Sequence, residues 1–180
     1  MKPMPENATV GILSELLALE CGYTPAEALQ IRIAAVLHDT GKQLIPDHIK
    51  NKPGKLSPQE FEIMKTHVLR GYEMLLCLRG GLGDKAKIIA LTHHEYWNGQ
   101  GYLGIPASIL PQYVCIVSLC DVLVSLLYRR VYKPAWPPEE ALAYIKSMAG
   151  IQFCPELTDK FISLIRCDTR IPAIFMEVLK

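Results

Sequence analysis

Five histidines occur in the 180 residues, and four of them lie at predicted helix ends or on the border of an apolar stripe, whereas His48 lies in a polar loop. His38 and Asp39 end the apolar run 33–37, and His93 and His94 end another apolar run. Burying a carboxylate or an imidazolium is costly unless a partner compensates the charge, and a metal ion can do so. The alternative for His38 and Asp39 is an ordinary polar turn at the end of a helix.

Two further residues fit the same chemistry. His67 borders the predicted buried stripe of its helix, which leaves open a core histidine with an ordinary hydrogen bond. Asp121 is the only charged side chain between Ile105 and Tyr128, where an unpaired carboxylate would be costly. The alternative for Asp121 is an ion pair with a distant lysine or arginine. The stripe that His67 borders comprises Phe61, Met64, Val68, Tyr72 and Leu75.

The adjacent histidines restrict the geometry of a metal site. Neighbouring side chains on a helix diverge by about 100°, so His93 and His94 can reach one ion only near a helix end. We expect the glycines of the following loop to approach a bound ligand closely. Six imidazole and carboxylate ligands with one shared carboxylate favour two zinc, iron, manganese or nickel ions over magnesium. Such two-metal sites typically hydrolyse phosphate esters.

The elements that must position these residues are predicted to be helices. Apolar residues recur at intervals of three and four along most of the chain, which predicts an all-α fold. The segments TPAE (24–27) and SPQE (57–60) are typical of capping boxes at helix starts. No repeat or linker divides the chain, so we interpret residues 1–180 as a single domain. Seven helices are predicted, at about 7–21, 25–38, 57–78, 84–94, 107–130, 138–148 and 155–179.

Composition excludes several classes of protein. The net charge of +1 gives no basis for bulk binding to nucleic acid polymers or membranes. The most apolar segment, 113–128, is short for a bilayer span and contains Asp121, so we expect a buried core helix. The six cysteines form no CxxC pair and are interpreted as free thiols of a cytoplasmic protein.

The order His-Asp, His, His-His, Asp resembles the HD superfamily of metal-dependent phosphohydrolases. Within it, the segments HDTGK, HHEYWNGQGY and VYKPAW are similar to those of the HD-GYP family, over about residues 7–160. The resemblance implies a bacterial signalling enzyme with an HD-domain helical bundle of about seven helices. Its activity would be hydrolysis of cyclic di-GMP to a linear dinucleotide or to GMP at a bi- or trinuclear centre, often of iron. Such domains usually follow a sensory or receiver domain.

The resemblance also implies which residues hold metal. His38 and Asp39 match the pair that names the superfamily, with Asp39 bridging two ions. The second ion would be bound by His67, His93 and His94, and the first by Asp121 in addition to the named pair. We therefore expect two divalent transition-metal ions, iron or manganese, with zinc or nickel as alternatives.

Substrate contacts are implied in the same way. Lys42 matches a lysine that contacts the scissile phosphate, so Asp39 and Lys42 are the expected catalytic residues. The alternative for Lys42 is a surface loop lysine. Arg130 and Lys133 match positions that hold the phosphates of the dinucleotide, and Tyr102 matches the tyrosine of the GYP motif.

Departures from the family pattern leave alternatives open. Glu6 stands where a metal-binding histidine is expected, Lys2 replaces an acidic residue, and Leu103 replaces the GYP proline. Glu6 is then a further candidate ligand of the first metal, which could bind weakly, and a third metal is not supported. One alternative is a degenerate module that binds nucleotide or a partner protein without turnover. Another is an HD phosphohydrolase acting on a different nucleotide. The domain could also be a truncated or stand-alone output domain, paired with a regulatory domain or with a second copy of itself.

Overall fold

The computed structural model describes residues 4–128 and 134–171, and these residues form helices and turns without a β-strand. The predicted all-α fold is confirmed. The α-helices are α1 (Glu6–Glu20), α2 (Pro25–Val36), α3 (Asp47–Lys50), α4 (Pro58–Lys65), α5 (His67–Met74), α6 (Gly80–Thr92), α7 (Gln112–Leu127), α8 (Pro138–Ser147) and α9 (Pro155–Cys167). Short 3-10 helices span Thr40–Leu44 and Ala107–Ile109.

Each of the seven predicted helices has a counterpart, although α9 ends at Cys167, before the predicted end, and residues 172–179 of that prediction lie outside the described residues. Three further differences concern the other helices. The predicted helix 57–78 is divided at Thr66 into α4 and α5. The segment RGGLGD does not separate two helices, because α6 already begins at Gly80. A Cβ on Gly83 would lie 2.7 Å from the Leu78 carbonyl carbon, so this glycine permits close packing of the helix start. The third difference is that α7 begins at Gln112, after Pro111, and not at 107.

Both predicted capping boxes are present. The Thr24 hydroxyl accepts a hydrogen bond from the Glu27 N–H, and the Glu27 carboxylate accepts one from the Thr24 N–H at 2.9 Å. Ser57 and Glu60 pair in the same reciprocal way. In each helix the next residue is a proline, which needs no hydrogen-bond partner for its nitrogen at this position. These caps define the starts of α2 and α4.

The core is built around α7, whose buried face packs against α1, α6 and α8. Small residues on α2 and α6, including Ala34, Ala35, Ala86 and Ala90, are fully buried and allow the two helices to pack closely. The C-terminal ends of α2 and α6 thereby come close to the middle of α7. In the described residues, no helix is both long enough and apolar enough to cross a membrane.

Two predictions about burial were wrong. Phe61 was placed in a buried stripe, but it is 41% exposed and its ring contacts Tyr102 edge-on at 5.8 Å. In the apolar run before His38, Ala34 and Ala35 are buried, whereas Ile33 and Val36 are exposed. The polar pair therefore follows a helix that is buried on one face only.

Candidate metal centre

Six of the seven predicted ligand residues, all except Glu6, converge from four parts of the fold. His38 and Asp39 lie in the turn after α2, His67 begins α5, and Asp121 lies in the middle of α7. His93 directly follows the last residue of α6, and His94 comes next, so the expected position at a helix end is confirmed. Potential ligand atoms form two groups, each with its atoms within 4.8 Å of one another. The first group is Asp39, His67, His93 and His94, and the second is His38, His93 and Asp121.

Asp39 lies between the two groups. Its Oδ1 is 3.4 Å from His67 Nε2 and 3.7 Å from His93 Nε2. Its Oδ2 is 3.2 Å from His38 Nε2 and 2.5 Å from Lys42 Nζ. One carboxylate therefore faces imidazoles of both groups, which is the arrangement that a bridging ligand requires.

The imidazole rings of His38, His67 and His93 are held by backbone carbonyls. Their Nδ1 atoms lie 2.6 Å from Ala35 O, 2.7 Å from Met64 O and 3.0 Å from Ile89 O. A carbonyl oxygen can only accept, so each Nδ1 donates and each Nε2 is directed into the site. Metal-binding histidines are commonly oriented in this way.

Buried polar atoms without hydrogen-bond partners test whether a cation fits. In the part of the chain that the structure describes, four such atoms lie in this cluster, namely Nε2 of His38, His67 and His93 together with Asp39 Oδ1. Such atoms are rare in folded proteins because leaving them unpaired is costly, and four in one cluster call for a common partner. An ion that accepts imidazole and carboxylate lone pairs would satisfy all four, so these residues fit a divalent transition metal.

The pKa values of the histidine rings are shifted in opposite directions. Burial lowers the pKa of His67 to about 4, with a smaller contribution from the neighbouring ring of His93. Burial also holds the pKa of His94 well below its usual value. Burial acts to lower the pKa of His38 as well, but the carboxylates of Asp39 and Asp121 outweigh it and raise that pKa to about 10. At neutral pH an ion can thus bind His67 and His94 directly, but it must displace a proton from His38.

Close backbone packing positions the two sides of the site. A Cβ on Gly41 would lie 2.0 Å from His67 O and 2.5 Å from Gly71 N. Only glycine permits this approach, which places the turn carrying Asp39 and Lys42 directly against the start of α5. A Cβ on Gly101 would lie 2.4 Å from the Cα of Glu95. The loop glycine thus packs against the protein's own backbone, whereas we had expected contact with a bound ligand.

A cavity of about 400 Å³ opens onto the ligand residues. We call it the lysine cavity, after Lys42, Lys50 and Lys52 in its wall. Tyr102 also lines it, with its ring 4.5 Å from that of His94, and burial raises the pKa of its hydroxyl to about 12. Glu6 lines the same cavity but belongs to neither group of ligand atoms. The predicted phosphate-binding residues Arg130 and Lys133 lie outside the described residues.

Sequence reasoning missed the role of Glu95. Its side chain is 2% exposed, and its two carboxylate oxygens accept hydrogen bonds from Leu103 N and Ile105 N, both at 2.7 Å. These bonds close the loop that carries Tyr102 over the position next to His94. The only sequence signal was an acidic residue directly after the histidine pair, which a polar loop would equally explain.

Replacing Glu95 by glutamine is expected to destabilise the protein by about 1–3 kcal/mol, because an NH₂ group would face a buried N–H. Urea denaturation of both proteins would measure the loss. Glu73→Gln, at an exposed position on α5, is the matched control and should leave the free energy of unfolding unchanged. Equal stability of Glu95→Gln and wild type would contradict a buried pair of bonds to this carboxylate.

The helical fold and the cluster of His and Asp ligands together indicate the protein family. A model of the HD domain matches residues 2–157, and the chain belongs to the HD-domain family. Comparison of the whole sequence shows similarity to HD-GYP cyclic di-GMP phosphodiesterases, and it confirms the family resemblance that the motifs predict. The structure of Bd1817, a HDG"Y"P protein from Bdellovibrio bacteriovorus, superposes with a TM-score of 0.72 at 19% identity. That superposition covers 89% of this chain and 51% of the other, and it confirms the helical HD-domain fold.

Relatives of known name are more similar in sequence. A cyclic di-GMP phosphodiesterase of Thermotoga maritima is 41% identical over 156 residues, which are 86% of this chain and 42% of the relative. A 3'3'-cGAMP-specific phosphodiesterase 2 of Vibrio cholerae is 39% identical over 151 residues, which are 83% of this chain and 29% of the relative. The chain therefore spans less than half the length of these relatives.

Proposed function

We propose that this chain is a metal-dependent phosphodiesterase of the HD-GYP type that hydrolyses cyclic di-GMP to a linear dinucleotide or to GMP. The proposal rests on two adjacent groups of His and Asp ligands. The groups have His93 in common, and the Asp39 carboxylate contacts histidines of both. The similarity to a named cyclic di-GMP phosphodiesterase over 86% of the chain supports the substrate class.

The ligand assignment follows from the two groups. Asp39, His67, His93 and His94 would hold the second ion, and His38 and Asp121 would hold the first, with Asp39 shared. Glu6, in the wall of the same cavity, is proposed as a further ligand of the first ion. The donor set supports iron or manganese, and zinc or nickel suit the same ligands. Bound there, divalent ions would supply an activated water and offset the charge of a phosphate diester.

The chain's own residues bind and orient the substrate. The ammonium group of Lys42, at the wall of the lysine cavity, would pair with a non-bridging oxygen of the scissile phosphate. Tyr102 closes the cavity beside His94, and it would limit access of bulk water to the reacting phosphorus. Arg130 and Lys133 are proposed to bind the second phosphate of the dinucleotide.

The wider setting is proposed on the same basis. Relatives more than twice as long suggest that this chain acts as a single HD-GYP-type output domain, controlled by a regulatory domain or by association with a second copy. A cytoplasmic location is consistent with the nucleotide substrate. Neither a nucleic acid polymer nor a membrane is proposed as a partner, because the net charge is close to zero.

Metal analysis of protein purified without chelators, combined with a cyclic di-GMP hydrolysis assay, tests the proposal. Two ions per chain and a linear dinucleotide or GMP product are expected. The position of Glu6 outside both groups favours a second candidate, a module that binds nucleotide without turnover. Bound metal and bound cyclic di-GMP without product after long incubation would support that candidate. Turnover of another nucleotide alone would identify a different HD phosphohydrolase.

Replacing Lys42 by alanine is expected to lower turnover about 100-fold, since one preorganised charge at the phosphate is lost. Metal content should stay unchanged, because an ammonium group does not bind a cation. Steady-state kinetics and elemental analysis would measure both. Lys87→Ala is the matched control, since Lys87 pairs with the aspartate three positions earlier, as Lys42 does, but lies on α6 outside the lysine cavity. Undiminished turnover in Lys42→Ala would remove this residue from the mechanism.

A further inference from the structure

A second cavity, of about 370 Å³, shares a wall with the lysine cavity. His94, Asp121 and Ser125 line both. The rest of the second cavity differs in character, and we call it the aromatic cavity after its walls. Three of these are Tyr96, Trp136 and Tyr144, and Gln152 is the uncharged polar side chain beside them. Its volume is within the range of small-molecule sites.

The walls of the aromatic cavity are held by contacts between distant segments. Trp136 N donates to Leu126 O at 3.0 Å, and the Trp136 ring meets that of Tyr144 edge-on at 5.8 Å. Trp97 N donates to Gln152 O at 3.0 Å, and Asn98 N donates to Ile151 O at 3.1 Å. The turn carrying Gln152 is thereby tied to the loop that follows His94. Gln152 thus has a defined position relative to the metal ligands.

The chemistry of the aromatic cavity suits a flat heterocycle. Aromatic rings stack on nucleobases with little dependence on sequence. The Gln152 amide offers both a donor and an acceptor, and within residues 4–128 and 134–171 its side chain makes no hydrogen bond. No lysine or arginine is present among the described residues that line the cavity, so a phosphate group is better placed in the lysine cavity.

We propose, on the basis of the cyclic dinucleotide substrate proposed above, that the aromatic cavity binds one nucleobase while the scissile phosphate lies beside Lys42. Trp136 and Tyr144 would contact the face of the base, and Gln152 would bind its edge. The amide can accept from a ring N–H of guanine and donate to its O6. Gln152 is then the residue that holds the edge of the base, and because its amide can turn over, it can pair with any base edge that offers a donor beside an acceptor.

Calorimetric titration of the full chain with GMP and with ribose 5-phosphate separates base binding from phosphate binding. Wild type should bind GMP more tightly than ribose 5-phosphate. Gln152→Ala and Trp136→Ala should each weaken GMP binding about 5- to 100-fold and leave ribose 5-phosphate binding unchanged. Gln112→Ala, at an exposed position at the start of α7, is the control and should bind both ligands as wild type does. Gln152 lies on a turn outside the core, so its variant keeps the test valid if Trp136→Ala fails to fold.

Hydrolysis of cyclic di-GMP and 3'3'-cGAMP by the same proteins distinguishes the two proposals. The Gln152→Ala variant should show a raised KM for both substrates, because the hydrogen bonds to the base edge are lost in each. If wild type hydrolyses cyclic di-GMP and Gln152→Ala leaves both KM and GMP affinity unchanged, the proposed base site is wrong, whereas the proposed phosphodiesterase activity is supported. If wild type binds GMP through Gln152 but hydrolyses neither dinucleotide, the base site stands and the phosphodiesterase proposal fails. Equal affinity of wild type for GMP and ribose 5-phosphate would also overturn the base site.

Discussion

Replacing Asp39 by alanine is expected to abolish phosphodiesterase activity and to lower the content of both metal ions. Its Oδ1 faces His67 and His93, whereas its Oδ2 faces His38. Loss of this carboxylate therefore removes a ligand from each ion and the negative charge shared between them. Changes to residues that merely orient a ligand cost about 10- to 100-fold in metal affinity, and a direct bridging ligand should cost more.

Elemental analysis after gel filtration and a hydrolysis assay would measure the effect of Asp39→Ala. Asp84→Ala is the matched control, because Asp84 also pairs with a lysine three residues later but is exposed on α6. It should keep two ions and full activity. Retention of two ions by Asp39→Ala would show that this carboxylate does not bridge them.

Replacing Gly41 by alanine is expected to destabilise the fold by about 3 kcal/mol or more, at the upper end of the usual cost of overpacking. The added methyl group would overlap backbone atoms of α5, with His67 O only 2.0 Å away. Backbone atoms cannot turn aside as a side chain can. The turn carrying Asp39 and Lys42 must then move away from His67, so metal affinity should fall together with stability.

Chemical denaturation and metal titration would test this second change. Gly81→Ala is the matched control, since its Cβ would find only ordinary contacts, the nearest at 3.6 Å from Gln30 Oε1. That substitution should leave stability equal or slightly raised, because alanine favours a helix over glycine. A Gly41→Ala protein as stable as wild type would contradict the close packing described for this turn.

The positions of the metal-ligand candidates could be predicted from sequence because local rules govern them. A polar pair at the end of an apolar helical run marks a helix end near the core, and both His38–Asp39 and His93–His94 lie at such ends. The capping boxes at Thr24 and Ser57 are likewise complete within four residues. The grouping of His93 with Asp121 could not be predicted, because it depends on how α6 packs against α7.

The features that sequence reasoning missed depend on tertiary packing. Glu95 is buried only because Leu103 N and Ile105 N fold back onto it, and its polar neighbours in sequence give no sign of this. The helix is divided at Thr66, although the apolar periodicity of the sequence continues across this residue. The glycines before Asp84 resemble a helix breaker, yet Gly83 serves the contact with Leu78 and lies within α6.

The dispersed origin of the ligands has a consequence for how this protein reaches its native state. His38 and Asp121 lie far apart in the sequence, yet His38 Nε2 is 3.4 Å from Asp121 Oδ1 in the folded chain, where α7 packs against α1 and α6. No early folding intermediate that lacks α7 can therefore assemble both ligand groups. Binding of an ion at His38 and Asp121 is therefore expected to be a late event, whereas the group of Asp39, His67, His93 and His94 contains no residue of α7. An ion at His38 and Asp121 would slow unfolding by linking the turn after α2 to α7.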